Sequence, residues 1–384
     1  MNFDYDDEQA ALREAVAGLL GRAYGPSGEQ RRTVVKADPG FDEKTWSRLA
    51  EMGLLGLPFA EADGGMGAGP VEVAVVAEQI GRVLAPEPFV EVVVLAGGLV
   101  SALGTGAQRA EVLAAIGEGS CVAAFAHAEP GTRWSASASG VAATGDGGSW
   151  RLTGVKEPVL AGERADLLVV TASVGDGTAA FLVRPGAEGL TRIGYRTHDG
   201  GRAARVELAG TPAELLGDAP TDRTAVVEQV LAAGRIAYAH EAVGAMDTAL
   251  RTTAEYLKTR KQFGVPLARF QALTFRAADM YVSLELARSA ALWATMVLDA
   301  GGDSLVAADR ARLQTSRAGR HIGTEAIQLH GGIGMTAEYS VGHYTSRLTA
   351  IDHVLGDGDF ALARLADGVA AYETVDPLGA PYAP

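Results

Sequence analysis

Residues 256–280 read YLKTRKQFGVPLARFQALTFRAADM. They hold the short link between two long helical segments, 223–260 and 268–301, and two more such segments follow at 303–331 and 337–371. Each exceeds ~20 residues, longer than the average globular helix, so the C-terminal part reads as a four-helix bundle. One stretch of it, MYVSLELARSAALWATMVL (280–298), is apolar on more than one face. That is more apolar surface than one chain covers, and it predicts at least a dimer. The last dozen residues, ETVDPLGAPYAP (373–384), hold three prolines and read as an extended tail.

Upstream of the bundle the pattern changes twice. From about 120 to 225 the chain runs CVAAFAH, WRLTGVKEPVL, DLLVVTASV, TAAFLVRP and ARVELAG, short apolar or alternating runs. Turn pairs such as Asp146-Gly147, Asp176-Gly177 and Pro185-Gly186 separate them, which is the spacing of a small barrel or sandwich. Residues 1–115 are helical in pattern: DDEQAALREAVAGLLGRAY, FDEKTWSRLAEMGLLG and PVEVAVVAEQIGRVLA carry apolar residues at helical spacing, the last with Pro70 in its first turn. The expected organisation is mostly α with a β middle domain: an N-terminal helical domain 1–117, a middle β domain 118–222 and a C-terminal bundle 223–384. A small β domain between helical ones forms a cleft at the domain interface, where ligands often sit.

With 384 residues the chain buries a sizeable core without disulfides or metal. Its single cysteine, Cys121, excludes a disulfide-built scaffold and fits a reducing cytoplasm. The 33 basic and 47 acidic side chains leave a net charge of −14, which disfavours nucleic acid as a partner. The acidic start, MNFDYDDEQAALREA, does not read as a signal peptide. The apolar run PFVEVVVLAGGLV carries Glu91 and is too short to span a membrane. The expectation is a cytoplasmic protein with no membrane span.

The link-and-helix string resembles the signature of the acyl-CoA dehydrogenases, flavoproteins that desaturate acyl thioesters. The matching positions are Tyr256, Arg260, Phe263, Gly264, Pro266, Leu267, Phe270 and Gln271. QLHGGIGMTAEY (328–339) resembles the family's Gln-x-x-Gly-Gly-x-Gly, and GLLGLPFAEADGGMGAG (53–69) and FAHAEPGTRW (125–134) match further conserved stretches of the family. The domain order agrees over nearly the whole chain. The resemblance implies FAD as cofactor, an acyl-CoA or acyl-carrier-bound thioester as substrate, and electron-transfer flavoprotein as acceptor. It also implies cofactor contacts at Arg260, Gln262, Phe263, Gln271, Gln328, Gly331, Gly332, Phe125, His127 and Glu129, with Arg260 reaching the cofactor of a neighbouring subunit. Arg260 has the planar donor fork that suits phosphate oxygens; its plain alternative is a surface pair with Glu255 or Asp247. Gly331 and Gly332 read as a helix stop and, compatibly with it, as glycines that let backbone approach the adenosine half of FAD.

The sequence departs from the family where chemistry is done. Ala128 stands where the loop usually has threonine, and Trp134 reads as either core or pocket wall. In LTGVKEPVLAGERADLLVV, Gly154 and Lys156 fit, but the flavin-stacking Trp is Pro158 and the flavin-bonding Thr is Leu160. The family's base is a glutamate at one of two places. In TAIDHVLGDGDFALARLA, aligned on Gly356, that place is Leu355; in the first bundle helix it is Gly234, before Arg235. Other carboxylates are weak candidates. Glu241 shares the helix face of Gly234 two turns on, and reads first as a surface or bundle-edge acid. Asp357 and Asp359 read first as a helix N-cap. Three readings stay open: the base-lacking partner in a hetero-oligomer, a homo-oligomeric flavoenzyme with a non-standard base acting on an unusual acyl substrate, and a scaffold that has lost FAD.

Overall fold

The computed structural model describes residues 5–25, 28–132, 134–146 and 148–371. The expected tail 373–384, Arg133 and Gly147 lie outside these residues. The N-terminal region is helical: α1 (Asp7–Tyr24), α2 (Glu29–Val34), α3 (Glu43–Glu51), α4 (Pro70–Val83), a π-helical stretch Val90–Gly97 that runs into α5 (Gly98–Leu103), and α6 (Gly106–Gly117). Local signals explain the boundaries. Asp6 and Gln9 form a capping box on α1, Thr105 and Gln108 another on α6, and Pro70 opens α4. The run around Glu91, read from sequence only as too short to span a membrane, is this π-helical stretch.

The middle region is a seven-stranded sheet: β1 (Ala123–Ala126), β2 (Val141–Asp146), β3 (Ser149–Leu160), β4 (Leu167–Val174), β5 (Gly177–Val183), β6 (Leu190–Arg196) and β7 (Arg202–Leu215). The pairings β4–β2–β3–β7–β5 return to β4, closing a small barrel, with β1 beside β4 and β6 beside β7. Strands β2 and β6 were not among the expected runs. The β6 run LTRIGYR is half-exposed throughout, so it lacks the apolar signal of a core strand. Pairing of β3 with β7 shifts between Lys156 and Val159, at Pro158, which has no N–H to give the ladder.

The C-terminal region holds α7 (Thr224–Thr259), a hairpin of β8 (Lys261–Gln262) and β9 (Val265–Pro266), α8 (Gln271–Asp299), α9 (Ser304–His330), α10 (Val341–Asp352) and α11 (Gly358–Asp367). The expected fourth long helix, 337–371, is therefore two shorter ones. It breaks because Leu355 and Gly356 take positive φ (61° and 111°) and Asp357 caps α11 through the Phe360 N–H. Helix α7 is buried on nearly all sides, packed on α8, α9 and α10 and also on α4. The α4 crossing is close. A Cβ on Gly81 would lie 1.9 Å from the Glu241 carbonyl oxygen, and one on Gly244 would lie 2.0 Å from that of Glu78. Two glycines thus let the N-terminal helices and the bundle share one continuous core, while the barrel keeps its own around Trp150, Leu152, Phe181 and Val206. Among the described residues no helix is long and apolar enough to cross a membrane.

Candidate functional site

The three regions meet around a cavity of about 310 Å³. The π-helical stretch contributes Glu91 and Leu95, and α7 contributes Leu231 and Arg235. The barrel supplies Phe125 and the loop to Gly131, with Trp134, Glu157, Pro158 and Leu160; the α10–α11 loop adds His353, Val354 and Leu355. Its size falls at the lower end of the ~300–1,000 Å³ typical of ligand sites.

The barrel wall is braced from behind. Glu129 is buried and accepts N–H bonds from Ser139 (2.9 Å), Gly140 (2.6 Å) and Val141 (3.1 Å), and it pairs with the Lys156 ammonium at 2.6 Å. Burial alone would raise the Glu129 carboxyl, but the Lys156 charge and these donors hold it below the usual range. The Lys156 ammonium also donates to the His127 carbonyl and the Thr171 hydroxyl. The His127 ring stacks on Phe125 with centroids 5.2 Å apart, and its nitrogens meet the Thr171 hydroxyl and the Ser135 carbonyl, each at 2.8 Å. A neutral ring donating to Ser135 and accepting from Thr171 satisfies this set, and burial, then the Lys156 charge, push its pKa down to about 4. Of the expected cofactor contacts, Phe125, His127 and Glu129 therefore line the cavity, but the polar atoms of His127 and Glu129 are spent holding the loop.

The two expected base positions face each other. A Cβ built on Gly234 would lie 2.8 Å from Leu355 Cδ1 and 2.5 Å from Leu95 Cδ2. The nearest atoms to that point are leucine carbons. The loop bearing Leu355 is fixed by two buried arginines: Arg235 Nε donates to the Leu355 carbonyl at 2.7 Å, and Arg312 donates to those of Gly356 (2.7 Å) and Val354. Trp134 closes the front, with its indole N–H on the His353 carbonyl (3.3 Å) and its ring 5.5 Å from that of Phe360. It is pocket wall rather than barrel core.

The alternative acids are accounted for. Asp357 caps α11, with the Phe360 N–H at 2.8 Å, and Asp359 is exposed in its first turn. Glu241 is not a surface or bundle-edge acid. It is buried, does not line the cavity, and accepts from Arg347 Nε at 2.6 Å. Its partner comes from α10, so nothing local to α7 announces the burial. Arg347 reaches on to Asp199 in the barrel at 2.8 Å, while Arg31 of α2 donates to the carbonyls of Asp199 and Leu84. The pair thereby ties all three regions together beside the cavity. Sequence reading did not assign roles to Glu91, Tyr238, Arg312 or Arg347. For Glu91 the signal was present, one acid within an otherwise apolar run.

The remaining expected cofactor residues lie elsewhere. Arg260 caps α7 and is exposed, and among the described residues its side chain makes no ion pair. Its two bland partners are taken: Glu255 pairs with Lys258, and Asp247 with Arg82, Arg251 and Arg288. The hairpin that follows carries exposed Gln262 and Phe263, the latter 92% exposed, and Gln271 is exposed at the start of α8. Gln328, Gly331 and Gly332 are exposed at the end of α9, where Gly331 caps the helix at φ 65°. Stacking of Tyr256 on His330 (4.4 Å), with Tyr339 against both, holds these two groups at the same end of the bundle. Arg235 and Arg260 stand 25 residues apart on and just after one continuous helix, about 37 Å at 1.5 Å per residue. The ten expected contacts thus form two clusters, and this chain's Arg260 cannot reach its own cavity.

Comparison with known proteins places the fold in a family. The acyl-CoA dehydrogenase N-terminal domain model matches residues 6–120 and the C-terminal domain model residues 224–370. The acyl-CoA dehydrogenase IpdE2 of Mycobacterium tuberculosis is 30% identical over 94% of this chain and 98% of its own. Among solved structures, a variant of the Tcur3481–Tcur3483 steroid ACAD is 32% identical, covering 95% of this chain and 98% of that one, with a TM-score of 0.87. The ChsE4–ChsE5 complex of M. tuberculosis is 26% identical, covering 97% of this chain and all of that one, with a TM-score of 0.89.

Proposed function

The chain belongs to the acyl-CoA dehydrogenase family, and on that premise we propose that it is the base-lacking subunit of a hetero-oligomer for FAD-dependent α,β-desaturation of an acyl thioester. The enzymes of this family are oxidoreductases acting on CH–CH bonds, and FAD is their cofactor. The observation that carries the proposal is the contact of Gly234 with the cavity-lining Leu355: both places that would hold the base meet at one point and carry no carboxylate.

The fit of the residues to the cofactor is split. At the end of the bundle, Arg260, Gln262 and Phe263 stand exposed beside the glycine turn 331–332, with a charged donor fork that no side chain among the described residues occupies. That cluster suits the pyrophosphate and adenosine of a cofactor seated in a neighbour. At the cavity the fit is poor. Pro158 has no N–H, Leu160 has no hydroxyl, and Trp134 spans from barrel to bundle loop. FAD, when bound, supplies the hydride acceptor for the β-carbon. This chain's residues contribute the anchoring donors of the neighbour's site, and a glutamate of that neighbour removes the α-proton. The kinship with heteromeric structures such as the ChsE4–ChsE5 complex supports the mixed assembly, and we extend to it the family's acceptor, electron-transfer flavoprotein.

Expression alone and together with a glutamate-bearing family member tests this. The chain alone should hold little flavin by absorbance and desaturate acyl-CoA very slowly or not at all, because a positioned base contributes typically ~10²–10⁴-fold. The mixed assembly should hold one flavin per pair of unlike chains and turn over. Arg260→Ala in this chain should weaken the flavin of that assembly by about 1.5–3 kcal/mol. Rapid desaturation by the chain alone would overturn the proposal.

A further inference from the structure

We propose that the cavity of this chain takes an acyl tail ending in a hydroxyl group, with Glu91 as the recognising residue and Tyr238 as its positioning partner. This goes beyond the base-lacking reading in one respect: the cavity, though it does not react the thioester, is taken as a pocket that still holds an acyl tail. Its walls are largely apolar: Leu95, Phe125, Trp134, Leu160, Leu231 and Leu355. Each of the other polar groups that line it has at least one partner, His353 through the Thr349 carbonyl, although one buried Arg235 nitrogen makes no hydrogen bond among the described residues. Glu129 is held by Lys156, Arg235 by the Leu355 carbonyl, and Glu157 by Arg205 at 2.8 Å. Glu91 differs. Among the described residues its side chain makes one hydrogen bond, from the buried Tyr238 hydroxyl at 2.7 Å. A carboxylate offers about four acceptor positions, so most of its capacity is open. The neighbouring cation, Arg347, is bound to both Glu241 and Asp199.

Position adds to this. Glu91 lies one helical turn from Leu95, the residue that touches the Gly234 position, so it stands apart from the empty base position. It also borders a second cavity of about 80 Å³, whose walls include Arg31, Asp199 and Arg347. Polarity therefore rises at the Glu91 end, the place for the far end of a tail. A hydroxyl suits this group in either protonation state, since it donates to the carboxylate and accepts from the acid. A plain alkyl end leaves Glu91 without a second partner, and a carboxylate end places two like charges together.

The test is calorimetric binding of octanoyl-CoA, ω-hydroxyoctanoyl-CoA and suberyl-CoA to the purified protein, with flavin content read separately by absorbance. The hydroxylated ligand should bind about ten- to a hundredfold tighter than octanoyl-CoA, and suberyl-CoA weakest, as one hydrogen bond to a charged group implies. Glu91→Leu should reverse the order of the first two, and the near-isosteric Glu91→Gln, which guards against misfolding, should keep part of the preference. Tyr238→Phe should shrink the ratio between the two ligands, not merely lower both affinities. Equal affinities in the wild type, a preference that survives Glu91→Leu, or no binding of any of the three overturns the assignment. The preference needs no flavin. Equal affinities in an assembly with one flavin per pair sink this inference alone, and a preference in a protein with any other flavin count leaves it standing while the shared-flavin reading falls.

Discussion

Replacing Arg347 with methionine tests how the cavity is held together. Arg347 sits on α10 and binds Glu241 of α7 at 2.6 Å and Asp199 of the barrel at 2.8 Å. Both carboxylates are almost fully buried, at 2% and 7% exposure. Burial alone would raise the Asp199 pKa. The Arg347 charge and hydrogen bond, with the Thr197 hydroxyl and the Gly201 N–H, outweigh it and bring the carboxyl from 3.8 down to about 2. Holding the carboxyl that far down corresponds to about 2.5 kcal/mol. The folded pKa lies below the unfolded one, so this stabilisation is complete above pH ~4 and is lost as pH falls toward ~2. Glu241 has no other side-chain partner among the described residues, so Arg347→Met leaves a buried charge unpaired, at a cost of about 3–5 kcal/mol at neutral pH. Urea unfolding across a pH series measures both effects. The variant should be less stable at pH 7 and should lose less on acidification than the wild type, because its Asp199 no longer titrates low. Adding Glu241→Gln should recover part of the neutral-pH loss. A cost below ~1 kcal/mol, with a pH profile parallel to the wild type, would refute the idea that this arginine locks barrel to bundle.

Restoring a base should not restore an enzyme. Leu355→Glu keeps a non-glycine residue at a positive φ that leucine already tolerates, yet the homo-oligomer should stay inactive because Pro158, Leu160 and Trp134 still deny the flavin its usual contacts; stopped-flow flavin reduction reads this. Gly234→Glu should fare worse, since even its Cβ would clash with Leu95 and Leu355, and thermal unfolding should show the loss. Light scattering should find at least a dimer: Phe263, Phe275, Tyr281, Val282, Leu286 and Met335 are all exposed. A stable monomer at micromolar concentration would also remove the neighbour that Arg260 is proposed to serve.

Much of the architecture is legible in the residues because the hydrophobic period changes where the domains change. Periodicity near 3.6 through 223–331 yields α7, α8 and α9 to within three residues at each end, since long buried helices leave a long signal. It fails at 337–371 for a reason that periodicity does not carry. The break is made by backbone, with Leu355 and Gly356 at positive φ, and by carbonyls drawn out of helical register onto the distant Arg235 and Arg312. Strand β6 was missed because its side chains are half-exposed, and β2 because VAATGD has small residues in place of an apolar alternation.

The candidate site was legible as a set of positions but not as an arrangement. Motif alignment marks Gly234 and Leu355 separately as empty. That they occupy one point, so that a base from either would serve the same carbon, follows only from α7 and the α10–α11 loop being brought together by Arg235. Helical arithmetic correctly puts Glu241 on the Gly234 face, yet misjudges its environment, because the charge that lets it be buried comes from α10. Glu91 was read only as a reason against a membrane span. The same fact has a second consequence: an acid in an apolar run must find a partner once the run is buried, and here Tyr238 meets only part of its capacity. The ten cofactor positions form one motif set in sequence but two clusters in space, and ~37 Å of uninterrupted α7 separates them. A rigid helix of that length forbids self-completion, so the cofactor contacts proposed at its two ends call for a second subunit whatever the state of this chain's own cavity.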